Sequence, residues 1–415
     1  MQAQQTAPKS RANLAAVATF LLVFGVIMII ATMNAPTKVG SKVMETFSTY
    51  LAEVRKTALP FLAIVGVGAA ALGAAAARTV RREWPNPRRR RALIAGYAFL
   101  APYLLVTFVF TVGVLLAALY FAFHKYDMFT APEWVGLKNF SKAFAGLTQA
   151  SKKDFVQALH NVLWYAALVV PIQTSLAILL AVLLNRQMRL KQFFRTIFYA
   201  PSVTSSVVIT LIFMWLYLKT GYINLLFDKT LGIVGVDWKA INWFNDPRGL
   251  IQLIAGVFGV DIPSKLWYLR GPSITLMAIM FQNIFTTAPT FMIIFLAALQ
   301  DISPALYEAA SIDGASGRQR FWKITLPMLR PIILLVVVLG TIGTLQLFDQ
   351  VKIATSGGPL GTTLMPVYMV YTEALGTQGS IQMGYASALA FILAVFIFFF
   401  TFIQRRVIER GTELY

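Results

Sequence analysis

Cysteine is absent from the 415 residues, so disulfides, thiolate metal sites and cysteine nucleophiles are excluded. Histidine is nearly absent. His124 and His160 are the only two, too little material for a metal centre, and no cofactor is implied. Charge is scarce at 13%, about half of the roughly one quarter found in soluble globular chains. What charge there is leans basic, with 36 Lys+Arg against 17 Asp+Glu and a net charge of +19. No Gly-Lys pair occurs, so the phosphate-cradling loop of nucleotide hydrolases is missing. Gly-x-Ser-x-Gly and His-Glu-x-x-His are missing too, and an enzyme is not expected.

Apolar residues take the place of charge. At 58% hydrophobic, with a mean hydropathy of +0.68, the chain carries more apolar surface than a water-bounded fold can bury. That excludes disorder and a whole-chain nucleic-acid arm. A bilayer core about 30 Å thick needs ~20 apolar residues in a helix. Eight runs qualify: Leu14–Met33, Leu59–Ala77, Ala92–Ala122, Asn161–Leu184, Ile197–Leu218, Ile274–Leu299, Ile332–Phe348 and Ala386–Ile403. The runs are continuous rather than alternating, which favours helices over barrel strands. The expected fold class is therefore an all-α integral membrane protein with eight transmembrane helices. Pro102 is expected to bend the long third run. Leu250–Val260 is too short to span and reads as an external helix packed on the bundle. No A-x-A-like cleavage pattern follows the first run, so it reads as a retained anchor.

Orientation follows from flanking positive charge. With the N-terminus in the cytoplasm, the inner segments hold 20 Lys+Arg in 83 residues and the outer ones 16 in 155. Arginine is sharper still: 17 of 20 fall inside, leaving only Arg55, Arg248 and Arg270 outside. Both termini are expected in the cytoplasm of a prokaryotic inner or plasma membrane. The basic run Arg78–Arg91 lies between two spans, where it faces lipid headgroups rather than nucleic acid. It also marks the expected boundary: residues 1–91 form a two-helix hairpin and basic linker, and 92–415 a six-helix core.

The segment Ser303–Pro331 is the most informative. Ser303 is placed to cap a short helix, Pro304 suits its first position, and Gly314 is a left-handed terminator. A helix over Pro304–Asp313 is too short to be stable alone, so it needs a partner to dock on. Ala309 and Ala310 permit close approach, and Glu308 and Asp313 offer charge. A second short helix through Phe321 and Ile324 is expected to end at Pro327.

Glu308-Ala309-Ala310, Asp313-Gly314-Ala315 and Ile324-Thr325-Leu326-Pro327 resemble the EAA loop of binding-protein-dependent ABC importer permeases. Trp134-Val135-Gly136-Leu137-Lys138-Asn139-Phe140 looks like the segment after the first core helix of that family. Phe194-Arg195-Thr196 with Pro201 resembles the cytoplasmic entry to its third core helix. Ser356-Gly357-Gly358-Pro359 with Thr362-Thr363 resembles the loop of the sugar-type branch. The resemblance covers about residues 95–415, and the extra hairpin is similar to the larger, maltose-type subunits. It implies a type I importer core whose coupling loop (300–331), through Glu308, Ala309, Ala310, Asp313, Gly314, Ile324, Leu326 and Pro327, meets a cytoplasmic ATPase. The implied partners are two ATPase copies, a second homologous permease, an extracytoplasmic sugar-binding protein and membrane lipid.

Polar side chains within spans are costly and face cavities or other helices. Gln282, Asn283, Thr286 and Thr287 in the sixth span, and Thr344, Gln346 and Phe348 in the seventh, are the candidate substrate pathway. They are neutral, as suits a hydroxyl-rich ligand. Phe281, Phe285 and Trp215 are further candidates for stacking on sugar. The maltose-specific subunits look asparagine-rich in span seven, where this chain has Gly343, Thr344 and Leu347, a departure from maltose itself. An importer for a glycerol-phosphate-type polyol is an alternative. So is an ion-gradient carrier, which wants an ionisable residue at mid-span, and none is found in the eight runs. An enzyme on lipid-linked substrates wants clustered acids, whereas Glu83, Glu409 and Glu413 are scattered.

Overall fold

The computed structural model describes residues 87–409, except 131, 148–153, 187–188 and 378. The expected spans Leu14–Met33 and Leu59–Ala77 lie outside the described residues. The described residues are mostly helical. In order it forms α1 (Pro87–Val106), a π-helical turn (Thr107–Gly113) and α2 (Val114–Ala122). A two-residue hairpin, β1 (His124–Lys125) with β2 (Glu133–Trp134), and α3 (Lys138–Phe144) come next. The long α4 (Asp154–Asn185) leads to α5 (Lys191–Val203), α6 (Ser206–Leu216), α7 (Tyr222–Ile233), α8 (Leu250–Val257) and α9 (Ile274–Gln300). The remaining elements are α10 (Pro304–Ile312), α11 (Gly317–Arg320), α12 (Arg330–Leu345), α13 (Asp349–Ala354), α14 (Pro366–Leu375) and α15 (Met383–Glu409).

Among the described residues, four helical stretches are long and apolar enough to cross a bilayer: Asp154–Asn185, Ile274–Gln300, Arg330–Ala354 and Met383–Arg406. The fifth expected span, Ile197–Leu218, is not one helix. It breaks into α5 and α6, bent by 97°. Thr204 and Ser205 both take extended ψ angles, and the Ser202 and Thr204 hydroxyls donate to the Tyr199 and Ala200 carbonyls in place of straight helical geometry. The third run is helical through Pro102, and its irregularity falls later, at the π-turn. Only Phe110–Ala122 counts there as a shorter apolar helix.

Contacts divide the chain into two units. Among the described residues, one combines 87–142 with Glu373–Phe391; the other holds Ala143–Thr372 and 392–409. In the first unit the segment beginning at Trp134 folds back on the end of α2. Trp134 pairs with His124 across the hairpin and stacks on Phe123. Asn139 donates its amide to the Ala122 and His124 carbonyls, satisfying acceptors that the ending helix leaves open. Gly384 packs against the His124 carbonyl so closely that no Cβ fits.

The second unit is organised around α4 and α9. Ala177, Ala181 and Leu184 of α4 meet Met292, Phe295, Leu296 and Leu299 of α9 in one cluster. Val162, Tyr165 and Val169 meet Leu276, Ile279 and Met280 in another, joined by Leu345, Val351, Met365 and Tyr368. The small alanines, one turn apart, let the helix axes approach. The segment between α6 and α9 is held by Asn224. Its amide donates to the Leu218, Lys219 and Ile241 carbonyls, and its oxygen accepts from Trp238 and the Ile241 amide.

Candidate functional site

The loop between α9 and α12 is the more exposed of the two candidate regions. α10 starts with Pro304 as its first residue, where a missing N–H costs nothing. The Ser303 side chain makes no cap hydrogen bond, contrary to the sequence expectation, and proline's fixed φ takes over that role. The helix ends at Ile312, and Gly314 turns the chain at φ +73. Its N–H donates to Ser311 O and that of Ala315 to Ala310 O, closing the last turn.

Only one side of α10 is held. The Tyr307 hydroxyl meets Thr325 Oγ1 at 2.9 Å, and its ring packs with Ile302 against the α4–α9 cluster. Arg320 donates to Ser311 Oγ at 2.9 Å, tying α10 to α11. On the other side Leu306, Glu308, Ala309, Ile312 and Asp313 are exposed, with Ile312 at 87%. Ala310 is half-buried.

The second expected short helix is longer than the sequence suggests. α11 starts from a reciprocal cap between Ser316 and Gln319. It then widens into a π-turn over Phe321–Thr325 and continues through Leu326–Met328. Pro327 therefore does not end it. The wide turn, in which the Leu326 N–H reaches Phe321 O, leaves room for a residue that cannot donate. Ile324, Leu326 and Pro327 are half-buried on this stretch.

The seven residues of the expected pathway make several separate sets of contacts. Consecutive residues on a helix diverge by about 100°, and α9 uses this to send its amides to different neighbours. Gln282, 1% exposed, donates to Thr210 Oγ1 of α6 at 2.7 Å. Thr287, on the side of Asn283, donates to Gln173 Oε1 of α4 at 2.7 Å and to Asn283 O at 2.8 Å. Thr286 bonds back to Asn283 O. On α12, Thr344 is buried and donates to Thr341 O, while Thr341 Oγ1 receives Gln404 of α15. Gln346 is exposed just past the end of α12. Phe348 belongs to a ring cluster with Tyr368 and Tyr371, over which Lys352 sits 4.3 Å from the Tyr371 centroid. Of the three further aromatics, Phe281 and Phe285 pack edge-on against Phe213, and Trp215 is 60% exposed.

Sequence reading missed Gln173, Thr210 and Gln404, the partners of these groups. Gln173 and Thr210 are polar residues inside apolar runs, and that signal was available for both, whereas Gln404 lies just past the end of the eighth run. It also missed Gln157 and Asn161 at the head of α4. They hold the loop after α13 by donating to the carbonyls of Leu360, Gly361 and Leu364. That loop is closed on itself by the Thr363 hydroxyl, which donates to Gly358 O and lies 2.8 Å from Thr355 Oγ1.

The architecture and the loop together agree with the sequence resemblance, and comparison decides the matter. Residues 173–412 match the model of the binding-protein-dependent transport system inner membrane component. The chain belongs to that family. This permease is 35% identical over 317 residues to the probable ABC transporter permease protein YesP of Bacillus subtilis, covering 76% of this chain and 90% of that one. It is 28% identical over 315 residues to the trehalose/maltose transport system permease protein MalF of Thermococcus litoralis, covering 75% and 92%. The crystal structure of a bacterial alginate ABC transporter, in complex with an alginate pentasaccharide-bound periplasmic protein, contains a chain that superposes with a TM-score of 0.59. The two are 22% identical, over 81% of this chain and 97% of the other, a likeness of fold. As a family member the permease is a multi-pass component of the inner membrane.

Proposed function

We propose that this permease imports a di- or oligosaccharide, maltose- or maltodextrin-like in size, driven by ATP hydrolysis in separate subunits. α10 is the coupling helix. Glu308 meets a basic residue of a cytoplasmic ATPase, Ala309 and Ala310 allow close approach, and Asp313 and Gly314 set the turn. Ile324, Leu326 and Pro327 shape the second half of the loop. Two ATPase copies, a second permease and an extracytoplasmic sugar-binding protein complete the assembly. Both termini lie in the cytoplasm, and residues 1–91 form a hairpin outside the six-helix core.

The single observation that carries this reading is the state of α10. It is a nine-residue helix, too short to persist alone. It presents exposed Leu306 and Ile312 beside a Glu308 that has no ion pair among the described residues. A helix in that condition fits a groove on a partner. Sugar is supported by relatives named for lactose, trehalose/maltose and arabinooligosaccharides. The neutral pathway groups Gln282, Asn283, Thr286, Thr287, Thr344 and Gln346, with Phe348, suit hydroxyls and sugar faces.

The test is copurification of the ATPase with the permease, together with sugar-dependent ATP hydrolysis in proteoliposomes. Glu308→Lys is expected to abolish both while the permease stays in the membrane fraction. Retained ATPase binding in that variant, or uptake without ATP hydrolysis, overturns the reading.

A further inference from the structure

Within the second unit, the head of α4, the segment joining α8 to α9 and the loop after α13 enclose a pocket of about 270 Å³. The volume suits one sugar-sized group, below the roughly 300–1,000 Å³ of sites for drug-sized ligands. The lining is basic: Arg248 and Arg270 both contribute and no carboxylate does. Two of the three arginines that the sequence places outside the membrane are therefore brought to one cavity.

Neither arginine is fully engaged. Asp246 takes the Nε and Nη2 groups of Arg248 and leaves Nη1 without a partner among the described residues. Arg248 remains 56% exposed at its side chain. Arg270 donates Nη2 to Ile262 O, but its Nε is buried and meets no acceptor. His160, whose Nε2 receives the Trp164 indole N–H, also lines the pocket. Buried donors in a folded chain are almost always matched, so Arg270 Nε lacks an acceptor that a ligand can supply, and the solvent-exposed end of Arg248 is open to the same ligand. Trp267, edge-on to His160 at 5.1 Å, gives the same pocket a flat apolar wall.

We propose that this pocket binds a small solute through one carboxylate or phosphate group. Arg270 and Arg248 provide the charge and Trp267 covers a carbon face; the ligand class is an acidic or phosphorylated sugar. An arginine fork matches either oxyanion in two-point contact. The proposal rests on the importer reading only in taking the ligand as a solute arriving from outside.

The purified permease–ATPase complex in lipid nanodiscs is titrated calorimetrically with galacturonate, inorganic phosphate and neutral galactose. Galacturonate or phosphate is expected to saturate, at least tenfold more tightly than galactose, with at least a tenfold loss in Arg270→Gln and partial recovery in Arg270→Lys. Gln252→Glu, which brings a carboxylate to the lining while leaving Arg270 in place, is expected to abolish anion binding and guards against a folding defect in Arg270→Gln. No saturation by either anion, equal binding of galactose, or unchanged affinity in both Arg270→Gln and Gln252→Glu overturns the proposal. Displacement of bound galacturonate by the ligand-free extracytoplasmic binding protein assigns the carboxylate to that protein and overturns the solute assignment. Failure of the unaltered complex to bind either anion, with ATPase copurification intact, sinks this pocket alone; anion binding without ATPase copurification sinks the coupling reading alone.

Discussion

Gly314 offers the cleanest measurement of whether α10 is a docking element. The residue sits at φ +73, where an L side chain costs about 1–2 kcal/mol. A Cβ there would meet nothing within 4 Å, so the penalty is conformational and not a clash. α10 packs on the body of the protein mainly through Tyr307, with Ile302 buried just ahead of the helix. In Gly314→Ala the undocked loop is free to relax toward negative φ, and it must recover the left-handed turn to bind. The strain then falls on association, weakening ATPase affinity by roughly fivefold at 1 kcal/mol and roughly thirtyfold at 2. Asparagine tolerates the left-handed region, so Gly314→Asn is expected to retain most of the affinity. The assay is a titration of fluorescent ATPase subunit onto the nanodisc-held permease, with thermal unfolding as a control that moves little in either variant. Equal affinity for glycine, alanine and asparagine would refute the argument. A loss in asparagine as large as in alanine would show that bulk, and not φ, is what the docked turn excludes.

Other outcomes follow from the packing. Gly384→Ala drives a methyl into the His124 carbonyl and is expected to cost about 1–3 kcal/mol, read as a lowered unfolding temperature; an unchanged temperature would show that the hairpin yields freely. Thr287→Val removes the donor to Gln173 Oε1, whose Nε2 is already unmatched; a double-mutant cycle with Gln173→Leu should give a coupling of about 0.6–2 kcal/mol. His124 is buried, and burial holds its pKa below 6.5 despite the hydrogen bond to Tyr120 O. Its unfolded form therefore takes up a proton first as pH falls. Stability from this group is present above 6.5 and is lost as pH falls from there toward the lower folded value, a slope that His124→Gln should remove. Asp246 behaves as the acidic counterpart, since Arg248 lowers its pKa. Its contribution is present above the ordinary carboxylate value and disappears as pH falls through the folded one, which Asp246→Asn should flatten.

How much was legible depends on the kind of interaction. Length and hydrophobic continuity place α9 and α12 within three residues at each end. They also locate α4 and α15, whose ends at Asp154 and Glu409 run six or seven residues past the apolar runs. The reason is that a helix in an apolar medium must satisfy its own backbone, and composition alone decides whether it stays there. The start of α10 at Pro304 and its turn at Gly314 are local backbone preferences and are equally readable. Other features depend on partners far along the chain. The break at Thr204–Ser205 lies inside a run whose apolar content reads straight through it. α14, ten residues with Tyr368 and Tyr371 on the ring cluster, is too short for a span signal. The Gln173–Thr287 and Gln282–Thr210 bonds join groups 114 and 72 positions apart. Composition and local spacing thus determined the membrane class, most of the long helices and the short helix that turns at Gly314. Only the tertiary structure decided which polar groups face one another and that Arg248 and Arg270 share a cavity, because helix faces are paired by packing and not by proximity in the chain.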